Sequence, residues 1–144
     1  MLTYQEARYI VTEISRRGFY RDTLYKLQKE IRELEQKKID LSAPNSPQGH
    51  ENIGGQRGNE VTDFSKKLVI IVTRQEEVMR QRDFFMSLLV RATDYYEILM
   101  DGEEPTYTRD YFEASDKRHL EAKYSVSNAY DRMIRIVRND VQRL

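Results

Sequence analysis

The sequence predicts an all-α fold: a helical bundle with long helices and a C-terminal helix-turn-helix-like unit. Three observations carry that prediction. Apolar residues recur at three- and four-residue steps over most of the 144 positions, the period of a helix face. All three Pro and five of the six Gly fall in two short stretches, leaving long uninterrupted segments between them. Charged residues make up 33% of the chain and apolar ones 39%, a balance that suits exposed amphipathic helices better than a thick core.

The first helix is predicted to start after Thr3. Thr3 and Glu6 have capping-box spacing, in which each side chain satisfies a free backbone N–H of the first turn. Ala7, Ile10, Val11 and Ile14 then share one stripe. Gly18 is expected to end this helix in a left-handed C-cap. A second helix follows from about Arg21 to Leu41, and residues 1–41 together form an N-terminal helical hairpin. Leu24, Leu27, Ile31, Leu34 and Leu41 follow heptad spacing, with Lys38 in the one missing place. The seam through Leu24, Leu27, Ile31 and Leu34 has two readings: a coiled-coil joint between two copies of the chain, or a hairpin helix packed on its own chain. It is short for an autonomous coiled coil.

The stretch Ser42–Asn59, SAPNSPQGHENIGGQRGN, has no apolar period, and residues 42–60 are read as a Gly/Pro-rich flexible loop. It has no Gly-Lys-Ser/Thr ending and no preceding strand, which argues against a nucleotide-binding loop. Arg57 beside Gly54, Gly55 and Gly58 is a candidate phosphate contact. Residues 61–100 are predicted as one long helix carrying Leu68, Ile71, Val72, Val78, Phe85, Leu88, Ala92 and Leu99 at helical spacing. Unbroken, it would be about 60 Å long at 1.5 Å per residue, and a rod of that length needs a packing partner. The β-branched KLVIIVT has no second strand to pair with and is not read as a strand.

Residues 101–144 change character. DGEEP, Asp101 to Pro105, is a turn. TYTRDYF is a short helix with Tyr107, Tyr111 and Phe112 on one side. Ser115 is the expected N-cap of a helix carrying Leu120 and Tyr124, and Ser127 that of a final helix whose stripe is Ala129, Tyr130, Met133, Ile134, Val137 and Val141. Helix, short turn, helix is the skeleton of a helix-turn-helix. Charge agrees locally. From Lys117 to Leu144 there are seven Lys or Arg against three acids, an excess of four positive charges in a chain whose net charge is zero. Phosphate neutralisation dominates protein–DNA affinity, so the placement of charge matters more than its sum.

The stretch LEAKYSVSNAYDRM resembles the helix-turn-helix of phage transcriptional activators of the ArpU/RinA type, which are related to the sigma-factor module that reads promoter DNA. The Tyr111-Phe112 pair and the ENIGGQRGN loop ahead of a long helix resemble them too. The resemblance is specific over about a quarter of the chain. It implies a phage or prophage DNA-binding transcriptional regulator, acting on promoter double-stranded DNA, with RNA polymerase as a second contact. Ser127, Asn128 and Asp131 would reach base edges, and Lys123, Arg132 and Arg135 would hold phosphates, with Lys117 and Arg118 completing the DNA-facing set. A homodimer in the cytoplasm of a bacterial host is expected. The alternative is a helical protein-interaction module, an inhibitor or adaptor that binds no nucleic acid.

Other classes find little support in the residues. There is no Cys, hence no disulfide or thiolate metal site. His50 and His119 are isolated, and neither a metal nor a cofactor is expected. The acid pairs Glu76-Glu77 and Glu103-Glu104 are sequence neighbours about 100° apart on a helix, so they do not make a facing acid–base pair, and no nucleophile motif is present. A non-enzyme is expected. The N-terminal MLTYQEARYI lacks an apolar h-region, and the longest apolar run, Leu68 to Val72, is far short of a membrane span.

Overall fold

The computed structural model describes residues 1–42 and 57–141, with side chains of the third helix from position 63 onward. Among the described residues all regular structure is α-helical: α1 Tyr4–Ser15, α2 Arg17–Ser42, α3 Arg57–Met100, α4 Pro105–Glu113, α5 Lys117–Tyr124 and α6 Ala129–Asp140. No described helix is long and apolar enough to cross a membrane. The Gly/Pro-rich loop expected over 42–60 lies outside the described residues except at its ends. There α3 begins at Arg57, four residues ahead of the position expected from the apolar pattern.

The chain divides into two compact units, Met1–Arg21 with Ser87–Leu144, and Asp22–Met86. The first contains α1, α3 from Ser87 onward, and α4 to α6. Its entry is the predicted capping box: the Thr3 N–H donates to Glu6 Oε1 and the Glu6 N–H to Thr3 Oγ1, both at 3.1 Å. These bonds to its charged form hold the Glu6 carboxyl below its usual pKa. Ala7, Ile10, Val11 and Ile14 are buried as the stripe predicts. They join Leu99, Tyr107, Tyr111, Leu120, Met133, Ile136, Val137 and Val141 in one core. Each large side chain buried there contributes roughly 1.5–3 kcal/mol of transfer free energy. α1 packs along α6.

Gly18 does not take the left-handed conformation expected of it. α1 stops at Ser15, Arg16 forms its C-cap with φ −89°, and α2 starts at Arg17, so Gly18 lies in the first turn of α2. Side chains next to this break are engaged within the first unit. The Arg17 guanidinium stacks 3.9 Å from the Tyr96 ring centroid, and the Tyr20 hydroxyl donates to Glu13 Oε2 at 2.6 Å.

In the second unit, Leu27 and Leu34 of α2 pack with Val78 of α3, flanked by Ile31, Ile71 and Phe85. Leu24 is buried as well. The heptad seam is therefore used within one chain, the second of its two readings. Arg74 Nε donates to Glu30 Oε1 at 2.8 Å across the hairpin, and Gln75 Nε2 to Glu35 Oε2 at 2.8 Å. Outward, α3 leaves Val69, Ile70 and Phe84 more than half exposed, at 62%, 68% and 54%.

Candidate nucleic-acid interface

The segment from α4 to α6 is built so that each backbone end finds a partner. α5 is capped by Asp116 rather than Ser115: the Asp116 side chain accepts from the Arg118 N–H at 2.9 Å. Leu120 anchors the helix in the core. α5 ends in a Schellman closure, with the Ser125 N–H on Ala122 O and the Val126 N–H on Glu121 O at 3.0 Å. Ser125 occupies the left-handed position at φ 55°, ψ 42°, which Gly usually fills because it lacks a Cβ.

Four residues, Ser125 to Asn128, separate α5 from α6. The N-cap of α6 is Asn128, not Ser127. Its side-chain oxygen accepts from the Asp131 N–H at 3.1 Å. Glu121 of α5 reaches over the turn and accepts from the Ala129 N–H at 2.8 Å, so the first turn of α6 is satisfied from two sides. Tyr107 of α4 donates its hydroxyl to Ala129 O at 2.8 Å. Burial pushes the Tyr107 hydroxyl pKa up to about 12, with Arg132 opposing.

The residues expected at DNA divide into two groups. Lys117, Arg118, Lys123 and Arg132 are engaged by their own chain. Lys117 donates to the carbonyls of Tyr111 and Ala114 and lies 3.9 Å from the Tyr111 ring centroid, and burial lowers its pKa. Lys123 pairs with Asp110 at 2.9 Å, and Tyr124 donates to the same carboxylate, which holds Asp110 below the usual carboxyl range. Arg132 contacts Glu104 at 2.5 Å and stacks on Tyr107, 4.3 Å from its centroid. Arg118 is the loosest of the four, 3.6 Å from Asp116 with a side chain 90% exposed.

The other group is open. Ala129, Met133, Ile134, Ile136 and Val137 turn one face of α6 inward. Ser127, Asn128, Asp131 and Arg135 are exposed, and Asn139 extends their strip one turn further. Beside this strip runs a shallow groove lined by Met1, Tyr4, Asp131, Ile134, Arg135, Arg138 and Asn139. Arg138 Nε donates to Leu2 O at 2.9 Å, tying α6 to the N-terminal segment. Sequence reasoning did not place Tyr4, Arg138 and Asn139 at the site. Arg138 and Asn139 were within reach of it, since they lie three and four residues beyond Arg135 on one helical face. Nothing local points to Tyr4.

Among the described residues no group of three or more His, Cys, Asp or Glu side chains is placed to hold a metal ion. Compared with known proteins, the chain matches no family model, no curated protein and no solved structure.

Proposed function

We propose that the chain is a phage or prophage DNA-binding transcriptional regulator, in which α5 and the Ser125–Asn128 turn present α6 to the major groove of promoter DNA. One observation carries this reading. α6 is separated from α5 by a closed turn and keeps a polar strip of Ser127, Asn128, Asp131 and Arg135 exposed while its opposite face is buried. A recognition helix needs that division, with its N-terminal residues toward the base edges. An Asp accepts from cytosine N4, and the Asn128 amide N–H, its oxygen being used by the cap, can donate to a base acceptor, so the strip offers groups suited to direct readout. RNA polymerase as a second contact, a homodimeric state and a place in the bacterial cytoplasm belong to the same proposal.

A second reading rests on its own observation. Lys117, Lys123 and Arg132 are held by intramolecular partners, and α3 exposes Val69, Ile70 and Phe84. Those features favour a helical interaction module that binds protein and no nucleic acid.

Fluorescence anisotropy with mixed-sequence duplex DNA separates the two. A reader loses affinity linearly in log salt, by about 0.9 per phosphate contact. Arg135→Ala lowers that slope by about one contact. A chain with no affinity for duplex at about 50 mM salt belongs to the second class.

A further inference from the structure

The opposite end of the chain lies beside the exposed strip of α6. α1 packs along α6, and Arg138 of α6 is bonded to the Leu2 carbonyl. Tyr4 lines the groove together with Arg135, Arg138 and Asn139. Arg8 follows one turn after Tyr4 on the same edge of α1. Burial raises the Tyr130 hydroxyl pKa, and the Arg8 charge acts against that rise.

The cations at this seam differ from most of the others around α5 and α6, where Lys117 is held by two backbone carbonyls. Arg118, Lys123 and Arg132 each have a carboxylate within 4.0 Å. Among the described residues, Arg8, Arg135 and Arg138 have none. Asp131 is the one carboxylate lining the groove. Among the described residues, two guanidinium groups, those of Arg135 and Arg138, thus line the groove beside the one carboxylate of Asp131, and Arg8 stands one helical turn along α1 from the groove residue Tyr4. A guanidinium presents a planar fork of donors matched to phosphate oxygens. An unneutralised cluster beside a helix strip is the footprint of a polyanion backbone.

We propose that the phosphate backbone of duplex DNA runs along the α1–α6 seam, held by Arg8, Arg135 and Arg138, so that the N-terminal helix is part of the DNA-binding surface. This rests on the DNA-binding reading above and extends it to residues far from the helix-turn-helix-like unit in sequence. Asp131 then has a defined part. It bars phosphate from the start of the strip and keeps that end for base edges, where a carboxylate can accept from an amino group.

The test uses the full chain and mixed-sequence duplex DNA of about 20 base pairs, two helical turns, over a salt series. Arg8→Ala and Arg138→Ala are compared with Arg80→Ala, which removes the same charge from the exposed surface of α3 in the other unit. The log–log salt slope is expected to fall by about 0.9 for Arg8→Ala and again for Arg138→Ala, and to stay at the wild-type value for Arg80→Ala. Arg138 also holds Leu2, so Arg138→Lys serves as its second variant, keeping the charge and restoring the slope. Wild-type slopes for Arg8→Ala and Arg138→Ala, in a chain that binds DNA, overturn the α1–α6 surface while leaving the regulator reading in place. A wild-type chain that does not bind duplex at all removes both.

Discussion

Replacing Arg132 by Ala separates a structural cation from a DNA-facing one. Its guanidinium lies 4.3 Å from the Tyr107 ring centroid, 5.6 Å from that of Tyr124, and 2.5 Å from Glu104. The Arg132 side chain is 25% exposed and that of Glu104 39%, so solvent screens the pair in part and its share is taken at about 0.2–1 kcal/mol. The cation–π stack on a buried tyrosine adds about 0.5–2 kcal/mol. These contacts share one group and do not add fully, so Arg132→Ala should cost about 1–2 kcal/mol, lowering Tm by about 3–6 °C in a chain of this size. Because this cation is already neutralised inside the protein, the DNA salt slope should stay unchanged. Thermal unfolding followed by circular dichroism gives the first quantity, and anisotropy over a salt series the second. A variant that melts with the wild type and loses about one phosphate contact's worth of slope would refute the assignment of Arg132 to the α4–α6 joint.

Other perturbations test the frame around that joint. Ser125→Gly should stabilise the protein by about 1 kcal/mol, because it relieves a left-handed residue that carries a Cβ; a denaturant midpoint equal to wild type argues against the Schellman closure. Gly102→Ala should destabilise by about 1–3 kcal/mol through overpacking, since the added Cβ would stand 2.1 Å from Asp140 Oδ2 and 2.6 Å from its Cγ; pairing it with Asp140→Ala should recover most of the loss. Glu6→Gln tests the capping box by pH. The folded-state pKa of Glu6 is lowered, so its stabilisation is present above the ordinary value of 4.5 and is lost as pH falls through the folded pKa. Wild type and variant should therefore differ in Tm at neutral pH and converge in acid. Leu34→Asp should reduce helicity in far-ultraviolet circular dichroism, because Leu34 is 7% exposed within its own hairpin; a fully helical variant that merely dissociates would return the seam to an intermolecular role.

What could be read from the sequence was what is decided locally. The Thr3–Glu6 box depends on residues three apart, and it is present as expected. The heptad in α2 fixes a face through its period, and that face is buried. A period does not say whose helix covers it; within the chain, Val78 of α3 does so. Caps slipped by one residue. Ser115 and Ser127 are reasonable N-caps, but Asp116 and Asn128 beside them have the side-chain oxygens that reach the first-turn N–H groups. Gly18 misled for a related reason. A Gly is allowed in the left-handed region without being driven into it, and here Arg16, with φ −89°, closes α1 instead. Ser125 is the converse, a left-handed residue whose identity gives no hint of it.

The site shows why a segment's charge count is a poor guide to its partner. The excess of four positive charges from Lys117 onward predicts a DNA-facing field, yet Lys123 is met by Asp110, 13 residues away, and Arg132 by Glu104, 28 residues away. Both acids lie before the counted segment. Pairing at that separation is set by how α4 packs against α5 and α6, which no window of sequence contains. The charge that a polyanion meets is the remainder after such pairings, and packing can also bring in cations from elsewhere. Arg135 and Arg138 survive this subtraction, and Arg8 joins them from the other end of the chain because α1 lies on α6. Electrostatic attraction at about one Debye length, roughly 8–10 Å, responds to that remainder. Arg8 should therefore matter more to DNA affinity than Lys123, the reverse of the order that sequence position implies.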